Sequence, residues 1–418
     1  MKPISKVGIL ILAALLLLLP LLAACSSDSE DEETVADRTQ EPQKEVTITL
    51  GNITDLTGAG ARAMSVVDAG LEDAVQYFNE QGFIPGVELK VIKYDNQYDP
   101  SREIPGYKFL KEKGADIIIG NMPQTAITLK PFVNDDEMLL FAMPYTDEGF
   151  MPPGYNFSLN VPTGAFGPTM LKWIAEKDPD FPADRPARIG MVNWDEPQSR
   201  SVADGAKAYV DAHPDKFEWE GTYLTSRTFT WGPEVDGLKD CDYLFPPMAG
   251  LASFTNEYRK AGYTAKFIGT DGHAAFMGLV DQANQWDELD GMFFGLPYGY
   301  WTDDTEMINL VNQYVRENRD NADEMIENGT SYLGPFLAFQ GMLTILAEAA
   351  AEAGAENLTT QAIYDTAQSF SMEFDGRQWG YSGDRRAAVD SLGIYELRAA
   401  EKDLYRADPE WLPIVEME

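Results

Sequence analysis

Cysteine, histidine and basic residues are scarce in this 418-residue chain, and each shortage excludes a class of protein. Two cysteines are too few for a disulfide framework or a four-ligand zinc site, and two histidines leave little for a multi-histidine metal centre. Lys and Arg number 32 against 68 Asp and Glu, a formal net charge of −36, which argues against a nucleic-acid partner. Hydrophobic residues make up 44% of the chain, enough for a large core. The length suggests about two to three domains.

The first 25 residues have the composition of an export signal. Lys2 and Lys6 precede an apolar run from Val7 to Ala24, which is the layout of a secretory signal peptide. The run is also long enough to span a membrane if it stays uncut. Its end, Leu22-Ala23-Ala24-Cys25, is similar to the lipobox of bacterial lipoproteins, in which the cysteine becomes the lipid-modified first residue. We therefore predict a signal peptide over 1–25 and an extracytoplasmic protein, anchored to the bacterial cell membrane by a lipid on Cys25.

An acidic segment separates this signal from the folded part of the chain. Residues 26–45 contain many acids and no apolar pattern, which predicts a disordered tether. With Cys25 used by the anchor, Cys241 is the one remaining thiol, and the sequence assigns it no function.

Short apolar segments alternate with helical patterns along the rest of the chain. Strands are predicted at 46–50, 87–94, 117–119, 138–143, 189–192, 242–245, 267–268 and 292–296. Helices are predicted to end near Gly82, to start after Asp99, and to cover 202–212, 274–282 and 332–353. This alternation predicts an α/β fold of two tandem lobes, each a doubly wound parallel sheet with helices on both faces.

Motifs for cofactor binding and catalysis are weak. Gly58, Gly60 and Ala63 match a dinucleotide fingerprint in spacing, but they lie too far beyond the first strand, so a helix-entry loop is the favoured interpretation. The chain has no Gly-x-Ser-x-Gly elbow and no cysteine near a histidine. His273 is interpreted as structural. We expect no enzyme activity, no catalytic residue, no metal and no cofactor.

Asp271 is the most interesting single candidate. It follows the short apolar strand 266–269 and lies between Thr270 and Gly272, so we expect it at the carboxyl end of a strand, where ligand sites of α/β proteins lie. The alternative is that Asp271 caps the helix predicted over 274–282.

The order of these motifs resembles the type I periplasmic solute-binding proteins of ABC transporters, and among them the branched-chain amino acid (Leu/Ile/Val-binding) subfamily. The resemblance extends from about Val46 to Glu396. The residues that carry it are Asp55-Leu56-Thr57-Gly58, Gly82-Phe83-Ile84-Pro85-Gly86, Tyr94-Asp95, Asp99-Pro100, Ile118-Ile119-Gly120, Met143-Pro144, Phe267-Ile268-Gly269-Thr270-Asp271-Gly272, and Tyr332, Phe336 and Gln340.

The resemblance implies two lobes joined by a three-strand hinge. Lobe 1 should comprise 46–164 and 297–385, and lobe 2 should comprise 165–296 and 386–418. It also implies a set of ligand-binding residues in the cleft: Met122, Gln124, Thr125, Tyr145, Thr146, Trp194, Gln198, Met248 and Asp271. Asp271 would bind the ligand ammonium. Two departures from the family pattern stand out, because Pro123-Gln124-Thr125 replaces a serine-rich stretch and Met248 replaces a hydroxyl-bearing aromatic residue.

The function implied is solute capture for an ABC importer. The receptor would close its hinge on a small amino acid or amide-like ligand and deliver it to the permease subunits. Two alternatives stay open at this point: a ligand-sensing subunit of a signalling partner, and, less favoured, a secreted hydrolase. The identity of the ligand and the role of the strong acidity stay open as well.

Overall fold

The computed structural model describes residues 46–417, so the predicted signal peptide (1–25) and tether (26–45) lie outside the described residues. In this part of the chain the strands are β1 (Val46–Thr54), β2 (Val87–Asp95), β3 (Ile117–Gly120), β4 (Leu139–Ala142), β5 (Asn156–Ser158), β6 (Ala187–Trp194), β7 (Phe217–Thr225), β8 (Tyr243–Phe245), β9 (Lys266–Thr270), β10 (Phe293–Leu296), β11 (Ser371–Phe374), β12 (Arg377–Gly380), β13 (Ser391–Arg398) and β14 (Asp403–Pro413).

The α-helices of the same residues alternate with these strands. They are α1 (Ala61–Gln81), α2 (Glu103–Glu112), α3 (Thr125–Asp135), α4 (Asp147–Phe150), α5 (Phe166–Lys177), α6 (Pro197–Ala212), α7 (Gly232–Gly237), α8 (Leu251–Lys260), α9 (Asp271–Ala274), α10 (Met277–Ala283), α11 (Glu306–Asn318), α12 (Ala322–Glu327), α13 (Thr330–Ala353) and α14 (Thr360–Ser369).

The first sheet is wholly parallel, with strand order β2-β1-β3-β4-β5. Its two short inner strands β3 and β4 are buried along their whole length. Alternate residues enter different cores, since Ile117 and Ile119 pack in one apolar cluster and Ile118 in another. Because a strand covered on both faces has no solvent-exposed face, it needs no alternating polar residues, and these segments are continuous apolar runs in the sequence.

The second sheet has seven strands in the order β14-β13-β10-β9-β8-β6-β7. Strands β6 to β10 are parallel to their neighbours, whereas β13 pairs antiparallel with both β10 and β14. The predicted two-lobed α/β architecture is confirmed, with the addition that the second sheet is mixed. We call the first sheet with its helices the first lobe, and the second sheet with its helices the second lobe.

Three segments connect the two sheets, as predicted for a three-strand hinge. They follow β5, follow β10 and precede β13. Hydrogen bonds tie the first and third segments together: Ser158 N–H donates to the Arg386 carbonyl at 2.7 Å, and Ala388 N–H donates to the Ser158 carbonyl at 3.1 Å. The Tyr298 hydroxyl of the second segment donates to the Leu159 carbonyl. The strands of each sheet fall within one of the two predicted residue sets, and the lobe limits at 164/165, 296/297 and 385/386 stay predictions.

Helices α1 and α13 pack closely against each other in the first lobe. The predicted apolar face of α1 is buried, and the helix ends at Gly82 in the left-handed conformation with φ +63°. Gly70 permits the close approach, because a side chain there would place its Cβ 2.8 Å from the Tyr332 carbonyl oxygen. Helix α13 is long and apolar enough to cross a membrane, but 83% of its most apolar window is buried, so it is the core helix of this lobe.

The structure corrects three local predictions. The helix predicted over 274–282 is two short helices, α9 and α10, and Asp271 is the first residue of α9. Helix α6 begins at Pro197, five residues before the predicted start at 202. Strand β7 was not predicted, because it lies at an edge of the sheet and alternates exposed with half-buried residues.

Candidate functional site

A cavity of about 110 Å³ lies between the two lobes, beside the second hinge segment. The first lobe contributes the start of α1, the residues after β3 and β4, and the start of α13. The second lobe contributes the turn after β9. The lining residues are Met64, Val67, Asn121, Met143, Asp271, Gly272, Ala275, Leu296, Pro297, Tyr298, Gly299, Thr330, Ser331, Gly334 and Pro335. Because one water occupies about 10–15 Å³ by this measure, a molecule of roughly seven to ten non-hydrogen atoms fits.

Apolar side chains form most of the cavity wall. Met64, Val67 and Met143 come from the first lobe, and Leu296 and Pro297 come from the hinge. Burying an aliphatic group against such a wall is favourable by about 25 cal/mol per Å² of area removed from water. The wall therefore suits a compact apolar body with few polar atoms.

Asp271 supplies the carboxylate of this cavity. Its Oδ1 accepts a hydrogen bond from the Gly272 N–H at 2.9 Å, and its Oδ2 accepts one from Asn160 Nδ2 at 2.7 Å. Burial raises the pKa of Asp271 above its ordinary value, although the hydrogen bond from Asn160 acts in the opposite direction. A half-buried carboxylate held only by neutral donors gains from a cation or a further N–H donor beside it.

The capping role that was the alternative for Asp271 belongs to its neighbours. Thr270 is the N-cap residue of α9, and it forms a capping box with His273. His273 Nδ1 accepts from the Thr270 N–H at 2.9 Å, and Nε2 donates to the Pro246 carbonyl at 2.8 Å. Burial lowers the pKa of His273 to about 4, so the ring is neutral near pH 7. The structural interpretation of His273 is supported, and its ring fixes the turn that carries Asp271.

Asn121 is a lining residue that sequence reasoning missed. Its Nδ2 lies 3.5 Å from Asn52 Oδ1, and Asn52 Nδ2 donates to Asp68 Oδ1 at 2.8 Å. Asp68 is in turn ion-paired with Lys93 at 3.2 Å. The Oδ1 of Asn121 is buried and has no partner among residues 46–417. The sequence feature that could have identified Asn121 as a site residue is its position directly after the buried strand β3.

Hydroxyl groups at the start of α13 join the two lobes beside the cavity. Thr330 Oγ1 donates to the Asp271 carbonyl at 3.0 Å, and Ser331 Oγ donates to the Ala275 carbonyl. Because α13 belongs to the first lobe and α9 to the second, these bonds hold the lobes together at this point. Little in the sequence indicates this role, except that Thr330 and Ser331 directly precede Tyr332, one of the residues that carry the family resemblance.

Tyr145 and Thr146 line a different and larger cavity, of about 870 Å³. This cavity lies between α4, α6 and the first and third hinge segments. The Tyr145 ring stacks on Phe150 with ring centroids 4.7 Å apart. Met143 of the same loop lines the small cavity, so the loop after β4 separates the two cavities.

Met122, Gln124 and Thr125 are not among the residues that line these two cavities. Met122 and Thr125 are buried inside the first lobe. Gln124 Nε2 donates to Glu103 Oε1 at 3.3 Å, and Asn96 Nδ2 donates to the same oxygen at 2.8 Å. Burial raises the pKa of Glu103. These residues form an internal polar cluster that supports the loop after β3.

The remaining predicted residues lie in the second lobe. Trp194 lines a third cavity, of about 390 Å³, and its Nε1 donates to the Thr228 carbonyl at 2.9 Å. Gln198 is half-buried in the first turn of α6. Met248 is the neighbour of the Asp271 turn, because a Cβ on Gly272 would lie 2.6 Å from its Sδ. The structure thus brings Met248 close to Asp271 and leaves Trp194 at a separate cavity.

The glycine motif near residue 60 does not form a phosphate-binding loop. The Asp55 carboxylate accepts the N–H groups of Gly58 and Gly60, the latter at 2.7 Å. A phosphate would need these same N–H groups. The favoured interpretation of the motif as a helix-entry loop is supported.

Comparison with known proteins identifies relatives of the same architecture. Leu/Ile/Val-binding proteins of Citrobacter freundii and of Escherichia coli K12 are 27% and 30% identical over 243 residues, which is 55% of this chain and 62% of theirs. A branched-chain amino acid ABC transporter structure from Thermus thermophilus with bound valine superposes with TM-score 0.74 at 16% identity, covering 89% of this chain and 97% of that one.

A second solved structure has the same fold. The solute-binding protein of an ABC transporter from Rhodopseudomonas palustris HaA2, in complex with p-hydroxybenzoic acid, superposes with TM-score 0.71 at 13% identity over 88% of this chain and 97% of that one. At this identity the likeness concerns the fold. The sequence model of the periplasmic binding protein family matches residues 47–402. Together with the two lobes, the three-segment hinge and the cavity between them, this match places the chain in the periplasmic binding protein family.

Proposed function

We propose that this protein is an extracytoplasmic solute-binding lipoprotein of an ABC importer. It captures a small amino acid or amide-like ligand between its lobes and presents it to the permease subunits. The observation that carries the proposal is the half-buried Asp271 carboxylate, held by neutral donors, at an apolar cavity between two hinged lobes. The family match and the names of the relatives, which are Leu/Ile/Val-binding proteins and ABC transporter components, support it.

The cavity explains how such a ligand is held. Asp271 accepts the ligand ammonium or amide N–H, and the unpaired Oδ1 of Asn121 accepts a second donor. The aliphatic part of the ligand lies against Met64, Val67 and Met143. Because Asp271 belongs to the second lobe and the other four residues to the first, the site is complete only when the lobes meet, and closure is hinge motion without chemical turnover.

The experiment is a thermal-shift and calorimetric comparison of three probes that share one branched aliphatic group. L-valine carries both charges, isobutylamine lacks the carboxylate, and isovalerate lacks the ammonium. A ligand at 100 times its dissociation constant stabilises the folded protein by about 2.7 kcal/mol. We expect valine and isobutylamine to raise the melting temperature and isovalerate to leave it unchanged, because Asp271 repels a carboxylate.

Asp271→Asn should weaken amine binding by about ten- to a hundredfold, since a hydrogen bond to a charged group contributes roughly 1.5–3 kcal/mol. The control is Asp287→Asn, which removes an exposed carboxylate from the same lobe and should not change the affinity. Unchanged affinity in Asp271→Asn with an intact fold, or binding of isovalerate alone, would contradict this assignment.

The anchor is proposed from the sequence around Cys25. Acylation of Cys25 would retain the protein at the outer face of the cell membrane, within reach of the permease. We expect Cys25→Ser to abolish fatty-acid labelling and to block the cleavage that removes the signal peptide. Wild-type protein that is freely soluble and cut after a different residue would show that no lipid anchor forms.

A further inference from the structure

A tyrosine of the first lobe reaches across the cleft to two charged residues of the second lobe. The Tyr98 hydroxyl donates to the Glu196 carboxylate, at 3.2 Å from Oε1 and 3.3 Å from Oε2. The Arg227 guanidinium lies 4.1 Å from the centroid of the Tyr98 ring, and its Nη2 lies 3.3 Å from Glu196 Oε1. The three side chains therefore contact one another in all three pairs.

Each partner in the second lobe follows a strand that ends at the cleft. Glu196 comes two residues after β6 and is the N-cap residue of α6, and Arg227 comes two residues after β7. Both line the 390 Å³ cavity that also includes Trp194, well away from Asp271 in the chain. Only 14% of the Glu196 side chain is exposed, so its carboxylate is shielded and its contacts are little screened by solvent.

The backbone that presents Tyr98 is unusual. Gln97 and Tyr98 are consecutive non-glycine residues in the left-handed region, with φ of +56° and +55°. Asp95 Oδ1 accepts the Gln97 N–H at 3.0 Å, and Asn96 Oδ1 accepts the Tyr98 N–H at 3.0 Å. Residues held in sparsely populated conformations cluster at functional sites, where the surrounding structure keeps them in place.

The glycine motif explains how this conformation is held. A Cβ on Gly58 would lie 2.4 Å from the Gln97 carbonyl group, and a Cβ on Gly60 would lie 2.9 Å from the Tyr98 ring. Asp55 fixes the two glycine N–H groups, while Asp95 accepts the Leu56 N–H at 2.9 Å and the Thr57 hydroxyl at 2.6 Å. The loops after β1 and β2 thus pack together through their glycines and aspartates, and this packing holds Tyr98 in its left-handed conformation.

We propose that Tyr98, Glu196 and Arg227 form an inter-lobe latch that holds the lobes together and sets how often the cleft opens. Tyr98 is a positioning residue in this arrangement, and it touches the opposite lobe rather than the cavity with Asp271. Burial and the Glu196 charge raise the pKa of Tyr98, so the hydroxyl keeps its proton and remains a donor. The inference rests on the hinge motion proposed above, and it adds a closing force that does not require ligand.

The test measures the distance between the lobes in the absence of ligand. Spin labels are placed on Lys113→Cys in the first lobe and Lys239→Cys in the second, both exposed positions, in the full chain carrying Cys25→Ser. Cys241 is buried, and burial raises the pKa of its thiol to about 12, so it should escape labelling. Pulsed electron–electron double resonance then gives the distribution of distances between the two spin labels.

We expect Tyr98→Phe and Glu196→Gln each to raise the ratio of open to closed molecules roughly three- to tenfold. Tyr94→Phe is the matched control, because Tyr94 lies on β2 of the same lobe and packs against Arg102 and Phe109. Arg200→Gln is the control for lost charge, because Arg200 pairs with Asp195 instead of Glu196. Neither control should change the distribution.

Two results would overturn the latch. In one, Tyr98→Phe and Glu196→Gln give the wild-type distribution; in the other, Tyr94→Phe shifts it as much as Tyr98→Phe does. Adding isobutylamine distinguishes a failure of the latch from a failure of the proposed function. If isobutylamine shortens the distance between the lobes in wild type and in the variants, ligand-driven closure stands and only the latch is wrong. If it changes the distance in none of these proteins, the result counts against ligand-driven closure.

Discussion

His273 connects the stability of the protein with the turn that carries Asp271. Its Nδ1 accepts from the Thr270 N–H, which requires the neutral ring, and its Nε2 donates to the Pro246 carbonyl. Protonating Nδ1 would point an N–H at another N–H in a buried place. The pKa of His273 is lowered to about 4 from an ordinary 6.5, so the unfolded chain takes up this proton first.

The stability contributed by neutral His273 is therefore complete above pH 6.5 and is lost as the pH falls through 4. As the pH falls from 6.5 to 4, the free energy of unfolding loses about 3 kcal/mol of this contribution. We expect the free energy of unfolding, measured with urea at a series of pH values, to fall more steeply in wild type than in His273→Gln. His213→Gln is the control, since His213 is half-exposed.

The raised pKa of Asp271 acts in the opposite direction, because a carboxyl that is easier to protonate in the folded state favours folding at low pH. This opposing contribution is present in wild type and in His273→Gln alike, so the comparison isolates the histidine. If the free energy of unfolding depends on pH in the same way in wild type and in His273→Gln, His273 does not contribute this pH dependence.

Single residues show how far sequence reasoning reaches at the site. Asp271 was placed correctly at the end of a strand facing the cleft, because the strand and the turn after it are local features. Asn121 and Ser331 were missed, since they line the cavity only in the folded arrangement, in which α13 packs against α1 and touches α9. The family resemblance assigned Tyr145 and Trp194 to one cleft, whereas they line two separate cavities, neither of which contains Asp271.

At the scale of elements, the inner parallel strands were the easiest to predict. β3 and β4 are buried on both faces, and their residues are apolar throughout. Edge strands lack that signal, which is why β7 and β14 were missed. The inner strand β13 and the break between α9 and α10 were missed as well.

The close packing of α1 on α13 shows what a sequence pattern leaves out. Periodicity predicted both helices and their apolar faces, but it gave no partner for either. The partner is set by Gly70, where the absence of a side chain lets the Tyr332 carbonyl approach. A contact between residues so far apart in the chain leaves no mark on local composition.

For the whole molecule, we expect ligand binding to reduce the radius of gyration. The cavity takes its walls from both lobes, so a bound ligand stabilises the state in which they meet. Small-angle scattering of the protein with saturating isobutylamine should show a smaller radius than without it. Asp271→Asn at the same probe concentration should show no such change. An unchanged radius in wild type, with binding established by calorimetry, would contradict closure by hinge motion.

Helix α13 has a consequence for the biogenesis of an exported chain. It is buried at the centre of the first lobe, yet by length and composition it is able to cross a membrane. During translocation the unfolded chain presents this segment to the lipid before any core exists to receive it. Gln340, Glu348 and Glu352 lie within it, and polar residues of this kind oppose partitioning into a bilayer. Glu348 and Glu352 are exposed in the folded protein, so the fold tolerates them, and replacing all three residues with leucine would turn the segment into a stop signal for secretion.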